Sequence, residues 1–148
     1  MKMRKRLLPI AYGLCLSLII GVLISTAPSA AITIEEVEIH PETLNLESNG
    51  RWITVLTSLP EEYEVSDINV TTVRLEIIPA AWSKVEGNKL MVKFDRQMVI
   101  DYIWAYKLTH MQIPLPKEGV EVDLTVSGEL YDGTLFEGSD TIRVIHRG

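Results

Sequence analysis

Apolar and polar residues alternate most strictly near the C-terminal end of the chain. Val120, Val122, Leu124 and Val126 are separated by Glu121, Asp123 and Thr125. A period of two sends alternate side chains to opposite faces, one buried and one wet, which is the pattern of a strand. A second arm, Thr141-Ile142-Arg143-Val144-Ile145, alternates in the same way, and Asp132-Gly133 lies between the arms. Asp-Gly supplies the positive φ angles of a tight hairpin turn. Leu135 or Phe136 carries the apolar face onward, and Gly138-Ser139-Asp140 predicts a bulge in the second arm. A lone hairpin is barely stable in water. Its apolar face therefore requires a second sheet from the preceding chain.

The preceding chain supplies strands. Ile32 to Ile39 changes parity at Glu35-Glu36, as a bulged strand or one that changes sheets would, and His40-Pro41 ends it. Thr43 to Leu46 is a short strand, Glu47-Ser48-Asn49-Gly50 a turn, and Arg51 to Thr57 a strand dense in β-branched residues. Leu44–Leu46 and Ile53–Val55 read as a hairpin pair. Ser66-Asp67-Ile68 suits one helical turn, Val70 to Ile77 a strand, Pro79 to Gly87 an irregular stretch, and Lys89 to Phe94 another strand. Asp95 is placed as a helix N-cap. Val99, Tyr102, Ile103 and Tyr106 then form one stripe at spacings of three and four. Such a helix either meets a partner or membrane, or crosses over on its own sheet edge; docking on its own core is the commoner use of an amphipathic helix this short. Pro114 and Pro116 break the linker from His110 to Lys117. About seven strands, short turns and one short helix predict an all-β chain, an antiparallel immunoglobulin-like β-sandwich.

The first 31 residues stand apart from that domain. Lys2, Arg4, Lys5 and Arg6 precede 18 uncharged residues, Leu7 to Ile24, and a small-residue exit, Ser25 to Ala31. This is the build of a secretory signal. Cleavage after Ala31 fits best, with Ser29 at the third position back; cleavage after Ala30 would put Pro28 there. The alternative is an uncleaved anchor, since 18 apolar residues reach the lower limit of a membrane span. In both cases the remainder, residues 32–148, is exported and lies in the medium or on the outer side of the cytoplasmic membrane. If the leader stays uncleaved, membrane contact is confined to residues 7–24. Tyr12-Gly13-Leu14 before Cys15 makes a poor lipobox.

Removing this segment sharpens the charge. Four of the 14 basic residues and none of the 20 acidic ones lie in 1–31, leaving a net −10 over 117 residues. Such a domain repels phosphate backbones, so nucleic acid is not an expected partner. The single cysteine, Cys15, is in the leader, so stability must come from the packed core without disulfides.

Several phrases carry a resemblance. They are Leu44-Asn45-Leu46 with Ser48 and Gly50 before Trp52-Ile53-Thr54-Val55, and Leu59-Pro60-Glu61-Glu62-Tyr63 with Val65 and Asp67-Ile68 before Thr72-Val73-Arg74-Leu75. Leu90 to Arg96 and Gly128 to Gly133, with Phe136-Glu137-Gly138 and Asp140-Thr141-Ile142, complete them. Together, over nearly all of residues 36–146, the chain resembles a poorly characterised β-sandwich module of secreted and cell-surface archaeal and bacterial proteins. The resemblance implies a domain identity and brings no catalytic residues. In many relatives an acidic, glycine-containing loop before the strand matching Leu90–Phe94 implies Ca²⁺. Here Trp82 to Lys89 offers one carboxylate and two lysines, against the six to eight oxygens Ca²⁺ prefers, so the metal is not carried over.

Candidate chemistry is sparse. His40, His110 and His146 belong to no paired motif, and a metal site needs three or four converging ligands. Glu35-Glu36, Glu61-Glu62 and the trio Asp132, Glu137 and Asp140 are carboxylate-rich, but on turns and strand faces where a solvated surface is the plain reading. The trio is the least remote cation candidate. No serine has a nucleophile-elbow context. Trp52 and Trp104 lie in apolar surroundings that predict core packing, whereas Trp82 is placed in a loop where it can be exposed. Asn69-Val70-Thr71 is a glycosylation sequon. The sequence thus predicts an exported, non-catalytic module with no catalytic, cofactor or metal residues, serving a structural or protein-interaction role. A carbohydrate-binding module of the cell envelope is the alternative, and the expected partner is accordingly a protein or an envelope polysaccharide.

Overall fold

Two β-sheets face each other in the computed structural model, which describes residues 30–148. In chain order the elements are β1 (Ile32–Thr33), β2 (Val37–His40), β3 (Thr43–Asn45), β4 (Trp52–Ser58), β5 (Ile68–Leu75), β6 (Ile78–Pro79), β7 (Trp82–Glu86), β8 (Lys89–Asp95), α1 (Arg96–Tyr102), β9 (Val120–Leu130) and β10 (Leu135–Ile145). One sheet runs β1-β10-β9-β5-β6, with β3 also paired to β10; the other runs β2-β4-β8-β7. The all-β class follows. Lys2 to Arg6, Leu7–Ile24 and Cys15, on which the expectation of a leader rests, lie outside the described residues. Among the described residues no helix is long and apolar enough to cross a membrane.

The alternating positions meet in one core. Ile39, Ile53, Val55, Leu90, Val92 and Phe94 from one sheet pack against Val73, Leu75, Leu124, Val126, Phe136 and Val144 from the other. The strict period of two in β4, β8, β9 and β10 is what lets each strand bury one face. Of the two residues offered after the hairpin turn, Phe136 is buried and Leu135 exposed.

The C-terminal hairpin is more regular than its sequence suggests. β9 and β10 pair without a register shift from Leu135↔Glu129 to Val144↔Val120. The expected bulge at Gly138-Ser139-Asp140 is absent. Gly138 serves a close crossing instead: a Cβ there would lie 2.6 Å from Val37 Cγ2 and 2.9 Å from the Ile34 carbonyl oxygen. At this point the chain leaves β10. It runs parallel to β10 as β1, crosses to the other sheet as β2, and returns as β3 parallel to the far end of β10. The parity change at Glu35-Glu36 is therefore a sheet switch. Where neither β1 nor β3 covers β10, the Asp140 carboxylate accepts the Ile39 N–H at 2.8 Å and bonds the seam between the sheets.

Three further expectations are corrected. Leu44–Leu46 does not pair with Ile53–Val55: Leu44 sits opposite Val144, and β4 lies between β2 and β8. Alternation alone fixes a strand's faces but not its neighbour. Pro79–Gly87 is not irregular. It holds β6 and then β7, which turns through Gly87-Asn88 into β8. The sandwich is also not wholly antiparallel, because β1 and β3 both run parallel to β10. Among the described residues there are ten strands rather than about seven: Ile32–Ile39 divides into β1 and β2, and β6 and β7 are new.

Asp95 caps α1 as its sequence predicts, accepting the Met98 N–H at 3.0 Å. The helix passes into one π-type turn, Ile103–Lys107. It links β8 to β9 and so crosses between the sheets. Val99 and Ile103 of the expected stripe are buried and Tyr102 packs against the core, but Tyr106 is exposed and Ile100 is buried in addition.

One residue ties this crossover to the sheet. Glu76, between β5 and β6, has a φ of +54°, the single positive φ outside glycine among the described residues. Its carboxylate accepts the Thr125 N–H at 3.0 Å and the Tyr102 hydroxyl at 3.0 Å, and lies 3.3 Å from Lys107 Nζ. Burial first, and then the hydrogen bond to Glu76, raise the Tyr102 pKa above the ordinary phenol value.

Candidate functional site

Among the described residues, β7 is the longest strand that pairs on one side alone. At one side of the sandwich the edge of β10 is overlaid by β1, the crossing chain and β3. On the other side, β5 beyond its short pairing with β6 is distorted: Asn69 faces Glu129 and Arg74 faces Ser127, so four residues of β5 oppose Gly128 alone. A bulge of this size blunts an edge against further pairing. β7 has no such protection. It pairs with β8 on one side and, among the described residues, with no strand on the other, and it holds no proline.

Turn geometry fixes which groups β7 presents. Glu86 and Lys89 face each other with only Gly87 and Asn88 between them, and Gly87 alone of these has positive φ, at +62°. This is the two-residue hairpin with glycine at its first position. The closing pair Glu86–Lys89 is hydrogen-bonded, and alternation along an antiparallel ladder makes Lys84–Met91 and Trp82–Lys93 the next bonded pairs. Ser83 and Val85 are left with N–H and C=O turned away from β8. The Ala81 N–H donates to the Lys93 carbonyl at 2.8 Å, which ends the free edge at Ser83.

The side chains of β7 are unusually open for a strand. Trp82 is 43% exposed and Val85 45%, and Lys84 and Glu86 are exposed as well. Lys84 Nζ lies 2.7 Å from Glu86 Oε1. Trp82 is exposed as its sequence context predicts, but on a strand rather than a loop, with Lys93 Nζ 4.9 Å from its ring. Trp52 does not enter the core. It is half-buried on the same outer face, stacked under Arg51 at 4.7 Å. Trp104 packs against the core, edge-on to His146 at 5.4 Å.

The other candidates are dispersed. Asp132 accepts the Thr134 N–H at 2.8 Å, and hydrogen bonds from the Thr134 side chain and amide hold its carboxyl below the ordinary carboxylate range. Asp140 is committed to the Ile39 and Thr141 amides. The trio Asp132, Glu137 and Asp140 does not converge, and among the described residues no three His, Cys, Asp or Glu side chains are grouped as metal ligands would be. His146 pairs with Glu47 at 2.7 Å, and His40 with Glu38 at 3.7 Å. Glu35, Glu36 and Glu61 line one open cleft of about 550 Å³. Asn69 lies at the start of the β5 bulge, where its Oδ1 accepts the Thr71 N–H and hydroxyl.

β7 is the feature that sequence reasoning missed. Its signal was present: Trp82, Lys84 and Glu86 alternate with Ser83 and Val85, and Gly87-Asn88 joins them to the next alternating run. In comparisons with known proteins, the chain matches no family model, no curated protein and no solved structure.

Proposed function

We propose that the chain is an exported, non-catalytic module with an immunoglobulin-like sandwich, acting in structure or protein interaction at the cell surface, and that β7 is the strand it offers. The observation carrying this reading is the uncovered edge of β7, with outward backbone groups at Ser83 and Val85 beside an exposed Trp82. An extended segment of a second polypeptide adds to such an edge through main-chain bonds and gains selectivity from alternate side chains. Export rests on the basic and apolar leader, and the surface setting on the resemblance to modules of archaeal and bacterial exported proteins.

A photoreactive residue in place of Val85 tests this in intact cells. An adduct there, lost on adding Ser83→Pro, is the expected result. Ser83 N–H faces away from β8, so proline removes an edge donor without breaking the β7–β8 ladder. Absence of any adduct would overturn the reading. Intact mass and fractionation of the cellular protein test the export reading independently.

The envelope-carbohydrate reading is kept because Trp52 and Trp82 share the outer face of one sheet. Titration with envelope polysaccharide, followed by indole fluorescence, would show a shift in this chain that Trp82→Ala removes.

A further inference from the structure

The geometry points to a second copy of this chain as the occupant of β7, added antiparallel about a two-fold axis through Val85. The inference rests on the reading of β7 as an interaction edge and names the partner. It begins from the charge sequence of the strand. Lys84 and Glu86 flank Val85 on the outer face, and β7 is net neutral within a domain carrying −10. A two-fold axis through Val85 sets Lys84 of each copy opposite Glu86 of the other. The same pair now 2.7 Å apart within one strand becomes two pairs across the junction.

The backbone accommodates the same axis. Val85 turns its N–H and C=O outward, so the two Val85 residues exchange both bonds as a hydrogen-bonded pair. Lys84 and Glu86 then fall in the adjoining non-bonded pair, where cross-strand side chains approach most closely. An axis through Lys84 would also bond the edge, pairing Ser83 with Val85, but it sets lysine against lysine in the closely approaching non-bonded pair. An axis through Ser83 sets Val85 opposite Ala81, whose N–H is already given to Lys93. The Val85 side chain, 45% exposed at the rim of the sandwich, is covered by its symmetry mate. The contact is small and local, so it is read best by a method that traps a weak dimer.

Cysteine cross-linking reads the register directly. Cys15 is the single native cysteine, so the full-length chain with Cys15→Ser is a thiol-free background. In a hydrogen-bonded antiparallel pair the Cα atoms lie about 5.5 Å apart, within disulfide range. Val85→Cys is therefore expected to give a disulfide dimer under mild oxidation. Ser83→Cys places its mates four residues out of register, about 13 Å apart, and is expected not to. Adding Lys84→Glu to Val85→Cys turns two attractions into two repulsions and slows the cross-link about tenfold. The exchange Lys84→Glu with Glu86→Lys restores it. Unchanged circular dichroism checks that each variant is folded. Equal cross-linking at positions 83 and 85, no dimer at 85, or no rescue by the exchange would each overturn the proposal. If the photoreactive residue at position 85 joins only a different protein, self-pairing falls while the β7 reading stands; if it joins nothing, both fall.

Discussion

Glu76 offers the sharpest test of the energetics, because its backbone and side chain act in opposite directions. Its φ of +54° places it in the left-handed region, which costs a residue with a Cβ roughly 1–2 kcal/mol. Its carboxylate, with the side chain only 15% exposed, binds Thr125, Tyr102 and Lys107. A charge-assisted bond to the Thr125 N–H contributes about 1.5–3 kcal/mol and the Tyr102 bond about 1. The Lys107 pair adds about 0.5 kcal/mol, discounted because its ammonium end is partly open to water. Glu76→Ala loses all three and keeps the strained backbone, so a loss of about 3–4 kcal/mol is expected, a large part of a typical domain's stability. Glu76→Gly loses the same contacts but relieves the backbone. It is expected to be about 1 kcal/mol more stable than the alanine variant, the reverse of the usual order inside regular structure. Urea unfolding followed by tryptophan fluorescence gives both midpoints, compared at constant slope. An alanine variant as stable as the glycine variant, or losses below about 1 kcal/mol in both, would refute the reasoning.

Three other outcomes follow from the same geometry. The Tyr102 pKa is raised in the folded state, so the stability it contributes is full below the ordinary phenol pKa and is lost as pH rises through the folded value; the melting-temperature gap between wild type and Tyr102→Phe should therefore shrink above about pH 10. Asp140→Ala leaves the Ile39 N–H without its acceptor at the seam, and chemical denaturation should register a loss of about 2 kcal/mol. Arg96 is 8% exposed, bonds the Ser48 hydroxyl, has no carboxylate partner among the described residues, and sits at the positive end of α1; burial lowers its pKa. Arg96→Met keeps its packing under Gly50 and should leave stability unchanged or raise it by about 1 kcal/mol in thermal melts, whereas a loss above that size would show the guanidinium to be structurally required.

What was legible in the chain was whatever depends on near neighbours. The period of two in β4, β8, β9 and β10, the turn at Asp132-Gly133 and the cap at Asp95 are local, and each stands where its residues predict, although of the turn pair Gly133 alone takes the positive φ expected of Asp-Gly. Partner choice was not legible. Leu44 alternates equally well against β4 or β10, and only the crossing of β1, β2 and β3 over Gly138 assigns it to β10. The same limit governed the candidate site. Trp82 was visible as an accessible indole, but its strand was masked by the charges of Lys84 and Glu86, which look like loop when the burial pattern is unknown. Tertiary structure alone decided that β7 ends its sheet, that β5 is blunted by a bulge, and that Asp132, Glu137 and Asp140 face separate tasks. The physical reason is that sequence period fixes which face of a strand is dry, whereas the identity of its neighbours, and whether it has one at all, depends on how distant segments share the remaining backbone donors and acceptors.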